Sequence, residues 1–387
     1  MRFRHLLFAL SAALVAALPA CSKVVPNAPS SPIPAAVATT ATSLPADGQI
    51  THQENRLEAI SKIYDVDRIF KSMQGPWSNV PVRLSKSPER ELLWITGCHV
   101  EMVAPDGQTP MPEQFMCHAN IDIPVERHAE LFGFSKTLDG RLFTLSQGQL
   151  HVQFPPGFGI PIMSDESLDL ITQVLNLNPQ PSAFQIRHKV HIDFVRPGDA
   201  KQPMQALYEC GVSGQVSLEG RGLVFGMDDD LVKLHGEQSQ SLCIPGRTAA
   251  TGDKREDRYG RQFSGHWVVQ PGREENHTRV TEIMNLPFDT KIHFIAVHMH
   301  PFAESLELRD MTTGETLFKS RAKNYDHQIG LEHMDSFSSE AGVAVYPNHE
   351  YELISVYNNT TDTEQDSMAV MYLYLADREF KLPEGVE

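Results

Sequence analysis

Ile292-His-Phe-Ile-Ala-Val-His-Met-His-Pro301 and Met368-Ala-Val-Met-Tyr-Leu-Tyr-Leu375 are the two stretches on which the reading of this chain turns. Both are rich in β-branched and aromatic residues, the composition of strands. Alternate side chains of a strand share a face, so His298 and His300 point the same way, one pleat apart, and two imidazoles so placed can chelate one metal ion. Where the two strands are neighbours, Met368 brings a thioether to the same point. Imidazole plus thioether is a copper ligand set, because soft sulfur selects copper over magnesium, calcium or manganese.

Outward from this pair, the chain reads as short strands broken by Pro, Gly and Asp. They are Glu91–Thr96, Gln114–Asp122, Arg141–Leu145, Leu150–Phe154, Leu168–Leu175 and Lys189–Phe194. Many short strands at regular spacing predict antiparallel sandwiches. Apolar residues at helical spacing in Asn55–Tyr64 predict one short helix ahead of them. The expected fold is therefore all-β: two tandem antiparallel, jelly-roll-like β-sandwich domains with a short N-terminal helix. The boundaries fall at 51–200 and 263–387, with 201–262 as a loop-rich connection that contains Met227-Asp-Asp-Asp230. That acidic run lacks the alternating ligands and closing glutamate of an EF-hand and reads as a solvated turn.

Trp267-Val-Val-Gln-Pro-Gly272, Leu286-Pro-Phe-Asp289, His298-Met-His300, Tyr325-Asp-His-Gln328, Val356-Tyr-Asn-Asn359 and Gln365-Asp-Ser-Met368 stand in a telling order. Their order and spacing resemble the catalytic domain of the copper type II, ascorbate-dependent monooxygenases, the family of peptidylglycine α-hydroxylating and dopamine β-monooxygenases. The resemblance implies that His298, His300 and Met368 match the ligands of the oxygen-activating copper. It also implies that Glu304, Tyr325, Asp326 and Gln328 lie around or beneath that site, while His266 and His277, on strand-like stretches ahead of the His298 strand, are candidates to support the metal or supply a fourth ligand. The family's second, electron-transferring copper uses three histidines of the first domain. Here Arg127 and His128 stand where an adjacent His pair is expected, and Leu175 where the third histidine is expected, so that site reads as degenerate. His99, His118, His151, His188 and His191 are the histidines left to build a replacement.

Arg2 and Arg4 precede the apolar run Leu6–Ala17, which ends in Leu18-Pro-Ala-Cys21. The run is too short to cross a bilayer and reads as a lipoprotein signal peptide, residues 1–20, with Cys21 as the lipidated N-terminus. Ser22 in place of Asp resembles an outer-membrane sorting signal, which predicts a lipid anchor in the bacterial outer membrane facing the periplasm. Residues 21–50, mostly Pro, Ala, Ser and Thr, are expected to be a flexible tether. Besides Cys21 there are Cys98, Cys117, Cys210 and Cys243; an even number in an exported chain favours two disulfides, and chain order favours Cys98 with Cys117 and Cys210 with Cys243.

The formal charge is −16, and losing Arg2 and Arg4 with the leader lowers it further, so nucleic acid is excluded as a partner for want of a basic face. No GxSxG elbow, HExxH helix or GxxxxGK[ST] loop occurs, which removes the commonest serine hydrolases, zincins and P-loop proteins. Two functions stand. One is a copper-dependent monooxygenase hydroxylating a C–H bond of a small or peptide-like substrate with ascorbate or another small reductant. The other is a non-catalytic copper-binding lipoprotein for capture, delivery or sensing, working with copper-handling proteins.

Overall fold

A computed structural model describes residues 44–133, 140–217, 254–256 and 260–383. The leader, Cys21, most of the tether, the Met227–Asp230 run and Cys243 lie outside the described residues. From the N-terminus run β1 (Ile50–His52), β2 (Arg56–Ile60), β3 (Tyr64–Val66), β4 (Trp77–Val82), β5 (Leu92–Val103), β6 (Met116–Asp122), helix α1 (Val125–Phe132), β7 (Arg141–Ser146) and β8 (His151–Gln153). There follow β9 (Phe158–Met163), β10 (Leu168–Val174), β11 (Phe184–Val195), β12 (Gln205–Ser213), β13 (Val216–Ser217), β14 (Lys254–Glu256), β15 (Gln262–Ser264) and β16 (His266–Val269). The last third comprises β17 (Gly272–Arg279), α2 (Thr281–Met284), β18 (Thr290–Met299), β19 (Ala303–Asp310), β20 (Glu315–Asn324), β21 (Leu331–Met334), β22 (Phe337–Val345), β23 (Tyr351–Asn359) and β24 (Gln365–Ala376).

One long sheet runs through both halves of the chain in the order β1-β2-β11-β5-β9-β12-β24-β18-β22, with β16 added beside β24, β3 beside β11 and β8 beside β5. A smaller sheet, β4-β10-β6-β7, covers one face, and a third, β17-β23-β19-β20-β21, covers the other face at the C-terminal end. Strand β24 lies between the two cores. Met368, Val370, Tyr372 and Tyr374 point into the first, while Ala369, Met371, Leu373 and Leu375 point into the second. A strand buried on both faces reads as a continuous apolar run, which is what this one is. Neighbouring β18 divides in the same way, Phe294 and Ala296 to one core, Ile295, Val297 and Met299 to the other.

Three expectations are corrected. Asn55–Tyr64 is not a helix: Arg56–Ile60 form β2, with Leu57 and Ala59 turned inward and paired to β11. The same apolar spacing fits both periods, and the ladder to β11 decides between them. Cys98 and Cys117 are free thiols rather than a disulfide pair, and Cys243, the expected partner of Cys210, lies outside the described residues. Cys98 packs in the first core and Cys117 lines a cavity, and burial raises both thiols, Cys117 to about 12, so neither is reactive. Within the span read as a loop-rich connection, Gln205–Ser213 form β12, hydrogen-bonded along β24.

Leu373→Ala leaves a void in the second core and is expected to cost about 2–5 kcal/mol. Tyr374→Phe removes the bond its hydroxyl donates to the Leu142 carbonyl at 2.9 Å, a loss of about 1 kcal/mol. Urea denaturation checks both. His188 is fully buried, its ring edge-on to Tyr64, and burial lowers it from 6.5 to about 3. Between those values the unfolded chain holds a proton that the folded chain lacks, so stability is complete above pH 6.5 and falls as pH drops towards 3. In denaturation series between neutral and acid pH, His188→Gln is expected to flatten that slope by about one proton.

Candidate metal centre

Three adjacent strands assemble the site. Strand β16 runs antiparallel to β24 with His266 opposite Met368, and β18 runs antiparallel to β24 on the other side with His298 opposite Val370. Asp366, Met368 and Val370 share one face of β24 because they alternate along it. His300 follows β18 by one residue, and the Tyr357 hydroxyl pins it: the hydroxyl accepts the His300 backbone N–H at 3.3 Å and donates to the Met368 carbonyl.

Asp366 is the centre of the cluster. Its Oδ1 lies 2.6 Å from His266 Nε2 and its Oδ2 lies 3.2 Å from His300 Nδ1. Burial alone would raise this carboxyl, but the facing His266 and His300 outweigh that and hold it at about 2. The His298 and His300 rings are 5.4 Å apart and nearly perpendicular, as are those of His266 and His300 at 5.5 Å. His298 is oriented by Ser146 of the covering sheet, whose hydroxyl is 2.9 Å from Nδ1. Its other nitrogen, Nε2, is buried without a hydrogen-bond partner. Burial, then the neighbouring His300 and His118, push His298 well below its ordinary value, so the ring is neutral; in the tautomer whose Nδ1–H is donated to Ser146, Nε2 offers a lone pair.

One donor atom each from His266, His300 and Asp366 lies within 4.8 Å of the others, a group that could hold a metal ion. Two imidazoles and a carboxylate suit borderline divalent ions, and the unpartnered nitrogen of His298 is the kind of buried polar atom that an ion would satisfy. Met368 is fully buried on the same face and belongs to the first core. Beside the histidines a cavity of about 420 Å³ opens; His298, His300 and Asp366 form its polar wall, and Met116, Leu175 and Ile329 part of its apolar wall. That is the size and character of a small-molecule site.

The structure thus brings His298, His300, Met368 and His266 to one face of neighbouring strands. Asp366 was not singled out from the sequence, although its place two residues before Met368 puts it on the same face. His277 stands on exposed β17 between Glu275 and Glu352, away from the cavity. Glu304 is ion-paired with Arg273, also away from the cavity. Tyr325, Asp326 and Gln328 lie in the turn after β20; only their neighbour Ile329 reaches the cavity wall. Arg127 is on the outer side of α1, ion-paired with Glu130 and Asp165, and His128 is held by Glu166 at 2.7 Å. Neither lines the cavity that Leu175 lines, so these three positions do not form one site.

No protein-family profile matches the chain, and no curated protein does. Among solved structures it is similar to PNGase F, a glycosylasparaginase from Flavobacterium meningosepticum, at 8% identity and a TM-score of 0.34, over 85% of this chain and 99% of that one. A second structure of a peptide-N(4)-(N-acetyl-β-D-glucosaminyl)asparagine amidase gives 6% and 0.33, over 85% and 99%. The STIV MCP gives 9% and 0.27, over 82% and 97%. Likenesses this distant say nothing of the site, which is tested directly. Asp366→Asn and His300→Ala are each expected to weaken binding of a divalent ion here about 10–100-fold in competition with a chromophoric chelator. His277→Ala leaves it unchanged; equal affinity in all three variants contradicts the assignment.

Proposed function

We propose that this chain is a metal-dependent oxidoreductase of the cell envelope, a copper monooxygenase-like protein that hydroxylates a C–H bond of a small or peptide-like substrate. The observation that carries the reading is the donor cluster in the wall of a cavity: His298, His300 and Asp366 face a space large enough for a small molecule. A storage or transfer site needs no such space. Copper as the metal, Met368 as an added sulfur ligand, and ascorbate or another small reductant rest on the sequence resemblance. So does the division into two tandem jelly-roll-like domains, with which two cores on opposite faces of β24 are compatible. Attachment through Cys21 rests on the leader sequence.

His298, His300 and Met368, with His266 and Asp366, are the residues that would hold the ion. Copper, when bound, supplies the one-electron chemistry of dioxygen reduction and C–H oxidation. The rest of the work falls to the chain. Ser146 fixes the His298 ring so that Nε2 faces inward, Tyr357 fixes the end of β18, and Asp366 supplies negative charge. The apolar wall excludes water from the space beside the donors.

One observation favours the second reading, a non-catalytic copper-binding lipoprotein. Arg127, His128 and Leu175 do not form an electron-transfer site, so a second electron has no built donor among them. Oxygen uptake by copper-loaded protein with ascorbate decides between the two. An enzyme is expected to consume oxygen at a rate that His300→Ala lowers at least about tenfold at equal copper. One copper bound tightly, with uptake equal in wild type and variant, supports the carrier.

A further inference from the structure

The N-terminal part of the long sheet turns one face outward, and on it three histidines lie in a single cross-strand row. His191 of β11 is directly opposite His99 of β5, and His99 is directly opposite His151 of β8. The row continues to Glu58 of β2, opposite His191, and Glu101 follows His99 by two residues on the same face of β5. Directly opposed residues of an antiparallel pair bring their Cβ atoms to about 5 Å, the spacing from which two imidazoles reach one ion.

The side chains use that spacing. The His99 and His191 rings lie face to face, centroids 4.2 Å apart and planes 9° apart, and the His151 ring is 6.0 Å from that of His99. One donor atom each from His99, Glu101 and His191 lies within 4.8 Å of the others. His191 is only 6% exposed, yet neither of its ring nitrogens makes a hydrogen bond; the nearest charge is Glu58 Oε2, 3.8 Å from Nδ1. Burial lowers His191 to about 4, aided by His99, so the ring is neutral at pH 7 and loses no proton on binding an ion. Arg56 is engaged with Asp193 at 2.5 Å and Lys189 with Glu58 at 3.6 Å, which leaves Glu101 as the acid beside the rings. A buried imidazole with no partner is costly, and a bound cation removes that cost.

We propose that His99, His191 and Glu101, with His151 at the edge of the row, form a second, surface metal site for a borderline divalent ion such as Zn²⁺ or Cu²⁺. Imidazole and carboxylate donors without sulfur select this class over calcium and magnesium. The site is separate from the interior centre: Cys98, the residue before His99, points into the first core, so the row lies on the opposite face of the sheet. It does not depend on the proposed enzymatic function. An ion here would join β11, β5 and β8.

The test is a Zn²⁺ titration of the full chain by equilibrium dialysis, for wild type, His99→Gln/His191→Gln and the interior variant His300→Ala. The double variant is expected to bind one equivalent fewer than wild type, while His300→Ala keeps the surface equivalent, so the two sites fail or survive independently. Equal stoichiometry in wild type and double variant overturns the proposal. Should circular dichroism show the double variant unfolded, Glu101→Gln/His151→Gln, at exposed positions, replaces it. A loss of about tenfold in affinity at one site is then expected, and unchanged affinity overturns the proposal.

Discussion

Strand Gln365–Ala376 is packed on both faces, and the rest of the structure follows from that constraint. Its even-numbered residues fill one core and its odd-numbered residues the other. A slip of one residue would exchange Met368 for Ala369 and Tyr374 for Leu375 in two cores of different shape, so the register is fixed from both sides. With the register fixed, Asp366 must lie on the face that His298 and His300 share, and β16 must present His266 beside it. Tyr357 closes the arrangement by joining the end of β18 to the Met368 carbonyl.

The electrostatics of this interior are unusual in one respect. His118, His188 and His266 have no exposed surface, and His298 and His300 have almost none. Burial holds His118 and His188 near 3 and pushes His298 well down, so these three rings are neutral. Asp366 stays ionised among them because two imidazoles face its two oxygens. A buried, ionised carboxylate ringed by imidazole nitrogens is a poor environment for an anion and a good one for a cation. The outward row of His191, His99 and His151 shares the imidazole chemistry but has solvent on one side, which suits binding without a cavity for a second reactant.

Much of this was legible in the sequence. The strands around Trp94, Phe143, Val152 and Ile192 follow from β-branched and aromatic composition, and the His298, His300 pair follows from a period of two. Local pattern failed where tertiary pairing decides. Leu57 and Ala59 fit a helix as well as a strand, and only β11 alongside makes them a strand. Asp366 is an ordinary acidic residue in isolation; its role comes from His266 on the neighbouring strand, a partner one hundred residues earlier in the chain. The cysteines were read from compartment and number, yet Cys98 and Cys117 are buried in different surroundings. The expected pair of sandwiches is compatible with two cores on opposite faces of β24, while β12 and β24 share one sheet with strands of the first half, a pairing that local pattern does not show.

The central claim is that an ion binds between β16, β24 and β18. An anomalous-difference map at the copper edge, from crystals of the copper-loaded protein, tests it most directly. The account predicts a peak about 2.0–2.3 Å from nitrogen and oxygen donors among His266, His298, His300 and Asp366. A map without density between those three strands, whatever it shows elsewhere on the molecule, contradicts it.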